Sequence, residues 1–296
     1  TPHHSPSHQQ RHTLSLLTLK PGLFTADGRD AAGQIWFDDP GLGQLPIAPP
    51  SPAPTAWLHH PAAPITAGLA ARRHASHKGS FGDVLVIGGQ GLQAGAAMQG
   101  AAILAASAAL HHGAGRVFLH LLDHGQLQQL PQTPEIMLRN QVTALAQLPS
   151  STVVCGCGGG SSVAALLPKV LEHSARLLLD ADALNAIAAD AMLRQRLKNR
   201  GAAGLPTVLT PHPLEAARLL NSSVPAVQAD RLAAAHTLAN TLDCTVLLKG
   251  SGSIIASPGE VPHINPTGNA LLATGGTGDV LAGMVAAHWA SMQNNV

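Results

Sequence analysis

Gly275-Gly276-Thr277-Gly278 leads into Asp279, and Asp279 opens a segment, VLAGMVAAHWASM, whose apolar residues recur at three- and four-residue spacing. The pattern predicts a helix whose first turn is built from glycine N–H groups. Those groups have no intrahelical partner, and the helix dipole adds partial positive charge, so the run is suited to an anion such as phosphate. A carboxylate beside a bound phosphate is repelled unless it has a task. As a helix cap Asp279 would be ordinary; facing a hydroxyl it would be a general base.

Other residues with chemical potential also follow short apolar runs. Lys249 comes after Val-Leu-Leu and before Gly250-Ser251-Gly252-Ser253, an order that can set an ammonium and several N–H groups beside phosphate oxygens. His212 stands between Pro211 and Pro213, which present its side chain from a stiff turn. Asp180 and Asp182 follow RLLL, Gly156-Cys157-Gly158-Gly159-Gly160 follows TVVC, and Gly88-Gly89 follows DVLVI. Singly, each reads as well as a turn, a cap or a solvated side chain. Common nucleotide devices are excluded by spacing: there is no GxxxxGK[ST], and the Asp279 glycines follow no early strand with an acid some twenty positions on.

The elements that must position these residues alternate from Asp83 onward. DVLVIGG, RVFLHLL, STVVCG, RLLLDAD, PTVLTPH and CTVLLKG are predicted strands, separated by Ala-rich helical stretches. AGAAMQGAAILAASAALHHGAG reads as a crossover helix stopped at Gly113, and VPAVQADRLAAAHTLANTL as a further helical stretch. This predicts an α/β fold with a mostly parallel central sheet and helices on both faces. Ligands then gather outside the carboxyl ends of the strands, where every residue singled out above lies.

Composition narrows the function classes. The 296 residues are 45% hydrophobic and 11% charged with a formal net charge of +1, enough for one large core and without the Lys/Arg density of a nucleic-acid binder. No apolar run is long enough for a membrane span, and Cys155, Cys157 and Cys244 cannot pair completely; a soluble, cytoplasmic protein is expected. The 17 histidines fall in scattered pairs with no HExxH frame, so no metal site is expected from them. Residues 1–52 hold a polar His/Gln/Ser tail, TLSLLTLKPGLFTADGRDAAGQIWFDD and the start of a Pro-rich linker, and 53–296 form the main domain. A chain that begins at Thr1 and stops at Val296 just after a helical pattern is expected to be a piece of a longer product, truncated at its C-terminus.

SHKGSFGDVLVIGG, AGAAMQGAAILAA, GAGRV, PEIML, LLLDADALNAIA, VLTPHPLEAARLL, VLLKGSGSIIA and NPTGNALLATGGTGDVLAGMVA occur in the order found in the ADP/ATP-dependent NAD(P)H-hydrate dehydratases, which the chain resembles over about residues 74–290. The resemblance implies a ribokinase-like fold and a repair activity: water added to the nicotinamide ring of NADH or NADPH is removed at the expense of ADP or ATP, with Mg²⁺ accompanying the nucleotide. It implies that Asp279 is the base, with Gly275, Gly276, Thr277 and Gly278 stabilising the transferred phosphoryl group. Lys249, Gly250, Ser251, Gly252, Ser253, Asn265, Thr267, Gly268 and Asn269 would lie along the nucleotide. Ala96, Gly158 and His212 would line the hydrate's site, with Asp182 and Asn185 as neighbouring polar contacts. A homo-oligomer is also implied.

The segment before the linker resembles the last strands of the NAD(P)H-hydrate epimerase domain of bifunctional proteins, too small a part for epimerase activity to be expected. The glycine run departs from the family's Gly-Pro-Gly-Leu-Gly, and losing Pro and Leu predicts a looser loop. Two alternatives stay open at this point. One is a ribokinase-like small-molecule kinase of the hydroxymethylpyrimidine or hydroxyethylthiazole type; the other is an inactive nucleotide-binding fragment.

Overall fold

The computed structural model describes residues 11–41, 53–59, 74–92, 96–122 and 129–292. A small unit comes first: β1 (His12–Leu16), α1 (Ala26–Ala32) and β2 (Gln34–Asp38), with β1 and β2 paired in parallel apart from the main sheet. Of the Pro-rich linker, residues 45–52 lie outside the described residues, while Trp57–Leu58 forms β3. The main unit continues with β4 (Asp83–Gln90), α2 (Gln99–His111), β5 (Arg116–Leu122), β6 (Met137–Leu138), α3 (Gln141–Ala146), β7 (Thr152–Cys155), α4 (Leu167–His173) and β8 (Arg176–Leu179). It ends with α5 (Asp182–Ala189), α6 (Ala191–Ala202), β9 (Thr207–Leu209), α7 (Pro213–Leu219), α8 (Val224–Ala229), α9 (Arg231–Leu242), β10 (Thr245–Leu248), β11 (Ser253–Ala256), β12 (His263–Asn265) and α10 (Thr277–Ser291).

All six strands expected from the sequence form, as β4, β5, β7, β8, β9 and β10. They lie within one ten-stranded sheet of order β3-β12-β11-β10-β9-β8-β7-β4-β5-β6. Every pairing is parallel except β10 with β11 and β11 with β12. The four strands not foreseen are two to four residues long, too short to carry a periodicity.

Side-chain alternation sorts the strands onto two apolar layers. Val84 and Val86 point with Val117, Leu119, Val154 and Leu178 into a layer closed by α2 and α10. Leu85 and Ile87 point with Val153, Cys155, Leu177 and Leu179 into the opposite layer, covered by α3 to α9. On the α2–α10 face, Trp57 and Ile255 near the β3 edge remain exposed. The stretch 224–242 is two helices rather than one, because Asp230 leaves the helical region at φ −143° and caps α9 by accepting from the Ala233 N–H at 2.9 Å.

The first unit rests on the second. Phe24 packs against the larger core, the Ala26 N–H donates to the Ser251 carbonyl at 3.0 Å, and Arg29 Nη2 donates to the Gly268 carbonyl at 2.8 Å. Both acceptors lie in segments assigned to the nucleotide from the sequence.

Candidate active site

Strand order reverses at β4: the chain passes to β5 and β6 on one side, then returns to β7 on the other. A crevice opens outside the carboxyl ends at such a reversal. The end of β4 and the glycine run after β7 fill its floor. Gly88 has no side chain because the Cys157 carbonyl occupies that space. The Gly89 N–H donates to the Cys157 carbonyl at 2.9 Å and the Gln90 N–H to the Gly158 carbonyl at 2.6 Å. Gln90 Oε1 accepts from the Ser161 N–H, and Asp182 Oδ2 accepts from the Gly160 N–H at 2.8 Å. The expected looser loop is not found: these bonds pin residues 157–161, and Cys157 is fully buried.

Asp180 follows β8 directly, and the next residue, Ala181, has φ 50° and ψ −114°, a conformation disfavoured for a residue with a Cβ. That turn sends Asp180 into the crevice and starts α5 with Asp182. Asp180 Oδ1 accepts from Lys249 Nζ at 2.7 Å, with Asp180 almost fully buried. Lys249 is held from behind by Arg231, whose buried Nη2 donates to the carbonyls of Leu248 and Lys249. The helix break at Asp230 is what brings Arg231 to the end of β10.

α10 starts above this pair. Gly276 caps it at φ 89°, a left-handed conformation glycine adopts without strain, and Gly278 in the first turn lies against Lys249 Nζ and Asp180 Oδ2. Asp279 lies in that first turn. One ligand atom each of Cys157, Asp180 and Asp279 lies within 4.8 Å of the others. Burial raises the Asp279 carboxyl, Asp180 adds to the rise, and the neighbouring Cys157 thiol and Lys249 oppose it. Burial and both carboxylates push the thiol well above its usual range.

His212 caps α7: its Nδ1 accepts from the N–H groups of Leu214 and Glu215, while Glu215 Oε2 accepts from the His212 N–H at 2.8 Å. Two amide donors at Nδ1 make it the accepting nitrogen and leave Nε2, 3.2 Å from Glu215 Oε1, to carry the hydrogen, while burial, then Lys249, lowers the His212 imidazole. Glu215 is itself pushed up to about 7 by burial.

The remaining expected residues separate by position. Gly158 packs on Met98 and Ala101 at the start of α2, two residues from exposed Ala96. Asn185 accepts from Arg218 and Asp182 from Gly160, so both hold elements together. Asn265 accepts from the Thr267 N–H and Oγ1, Asn269 caps the turn at Ala270–Leu272, and Thr267 to Gly275 form an exposed segment leading to α10. Gly250 lies against the Arg231 guanidinium. Asp180, Cys157, Arg231 and Glu215 were not among the residues assigned from the sequence. Asp180 was visible as a strand-end carboxylate and Cys157 lay within the glycine run after TVVC; Arg231 and Glu215 gave no periodic or spacing signal.

The open α/β sheet, mostly parallel and flanked by helices on both faces, is ribokinase-like in fold. A ribokinase-like superfamily protein from Enterococcus faecalis superposes with a TM-score of 0.64 at 25% identity, covering 81% of each chain. The chain belongs to the NAD(P)H-hydrate dehydratase family, whose model matches residues 84–295. It is 42% identical over 220 residues to the ADP-dependent (S)-NAD(P)H-hydrate dehydratase of Neisseria meningitidis, covering 73% of this chain and 71% of that one. The ADP/ATP-dependent NAD(P)H-hydrate dehydratase of Bacillus subtilis, co-crystallised with ATP/Mg²⁺, superposes with a TM-score of 0.55 at 27% identity over 73% of this chain and 75% of that one. The chain spans about half the length of the bifunctional NAD(P)H-hydrate repair enzymes it also matches. No described helix is long and apolar enough to cross a membrane.

Proposed function

We propose that this chain converts the S-form of hydrated NADH or NADPH back to the reduced dinucleotide, using ADP or ATP as phosphoryl donor. The observation that carries this is the position of Asp279: a half-buried carboxylate in the first turn of α10, on the same turn as the glycine N–H groups and within 4.8 Å of Asp180. Asp279 takes the proton of the hydrate hydroxyl as its oxygen attacks the terminal phosphorus, and the bond from that phosphorus to the nucleotide breaks. The N–H groups of Gly276 to Gly278 and Lys249 neutralise the charge on the transferred group. Phosphate then leaves from the new ester with the carbon–oxygen electron pair, the ring nitrogen lone pair supplies electrons, and loss of the neighbouring ring proton to solvent restores the double bond.

Mg²⁺ accompanies the nucleotide and would neutralise its phosphates. The chain's own groups do not make a cage for it: Asp180 is paired with Lys249, and the third group in reach, Cys157, is a soft donor that Mg²⁺ does not favour. Lys249 to Ser253 would meet the donor phosphates, and Asn265, Thr267, Gly268 and Asn269 would border the nucleotide. Ala96, Gly158 and His212 would border the hydrate. Residues 1–52 as an epimerase-domain remnant, a homo-oligomeric assembly and a cytoplasmic location complete the proposal.

The test is incubation with hydrated NADH and ADP or ATP while following the return of reduced-nicotinamide absorbance. Asp279→Asn is expected to lose at least about 10²-fold in turnover with nucleotide affinity largely kept. Turnover equal to the parent chain would remove Asp279 from this role.

A further inference from the structure

We propose that Cys157 is a positioning residue for Asp279: its thiol, sealed beneath the crevice, holds the carboxylate in the orientation and ionised state that accept the hydroxyl proton. The inference rests on the dehydratase reading of this site and adds a residue to it.

Four observations carry it. The Cys157 backbone is fixed, because its carbonyl fills the space left by Gly88 and accepts from the Gly89 N–H. Its side chain has no exposure to water. Its sulfur lies within 4.8 Å of carboxylate oxygens from two other elements, Asp180 after β8 and Asp279 on α10. Lys249, the cation at the end of β10, is already bonded to Asp180.

The consequence is a division of labour between two neighbouring acids, Asp180 buried and Asp279 half-buried. Lys249 compensates Asp180, and the S–H compensates Asp279. Asp180, Lys249 and Cys157 are the charged and titratable groups acting on Asp279 from β8, β10 and the loop after β7. Two neighbouring carboxylates resist joint ionisation, so a base without its own donor would retain its proton to higher pH. Burial and both acids keep the thiol protonated, so it serves as a donor whenever Asp279 is charged. A thiol also suits a floor position: it fills space like a small apolar group while offering one weak donor.

The test uses the full chain and two readouts. In the pH profile of turnover with ADP and hydrated NADH, Cys157→Ala is expected to lose about tenfold on the acid limb while rejoining the parent at alkaline pH, with the ADP KM unchanged. Cys157→Ser, which keeps a donor, is expected to follow the parent profile. A uniform loss at every pH, or a serine variant as impaired as the alanine variant, would overturn the proposal. The second readout needs no turnover: the infrared S–H stretch, assigned to Cys157 by its disappearance in Cys157→Ser, is expected to move in Asp279→Asn. An S–H band unmoved by Asp279→Asn also overturns it. A band that moves in a chain that never restores reduced-nicotinamide absorbance supports the contact and refutes the dehydratase reading instead.

Discussion

Glu215 enters the first turn of α7 with its side chain 4% exposed, and burial outweighs the hydrogen bond it receives from the His212 amide, raising its carboxyl to about 7. Its folded value lies above the unfolded one, so the unfolded chain gives up this proton first as pH rises. Stability from the protonated form is therefore full below about pH 4.5 and declines through about pH 7. Denaturant unfolding at a series of pH values is expected to show the parent losing on the order of 3 kcal/mol relative to Glu215→Gln across that window. Equal slopes for the two chains would mean that Glu215 ionises freely. At this scale the sequence was partly legible. Asp279, Lys249 and His212 stood out because each follows an apolar run or a rigid turn. Spacing alone did not separate Asp180 from Asp182, and the resemblance assigned only Asp182; the turn at Ala181 decides that Asp180 meets Lys249 while Asp182 anchors Gly160.

Strand β8, the turn at Ala181 and helix α5 form an elbow whose conformation is costly for alanine. Ala181→Gly relieves that cost, and a gain of about 1 kcal/mol in unfolding free energy is expected, read from the denaturant midpoint. A loss of stability would show that the Ala181 methyl group contributes more by packing than its backbone costs. The six principal strands were legible because β-branched and leucine runs buried on both faces lack competing patterns. The break between α8 and α9 was not, because apolar spacing continues across it. What interrupts the helix is Asp230 capping Ala233 and Arg231 reaching the Leu248 and Lys249 carbonyls, and those partners are brought near only by β10.

Across the whole molecule, the crevice draws residues from β4, β7, β8, β10 and α10, and the first unit touches the segments after β10 and β12 through Ala26 and Arg29, which bond the Ser251 and Gly268 carbonyls. ADP or ATP is expected to raise a cooperative melting transition, because a ligand that binds only the folded state stabilises it by about 2.7 kcal/mol at a hundredfold excess over Kd. Arg29→Ala is expected to need several-fold more nucleotide for the same rise; an unchanged dependence would mean that Arg29 does not steady the Gly268 segment. The sequence by itself determined the alternation of strands and helices, the phosphate-suited start of α10 and the family, since local periodicity and ordered motifs survive in one dimension. Tertiary structure decided which carboxylate meets Lys249, that Cys157 lies close to Asp279, and that residues 20–32 rest on the segments holding Ser251 and Gly268. Those outcomes depend on strand order, because the reversal at β4 makes neighbours of residues tens to hundreds of positions apart.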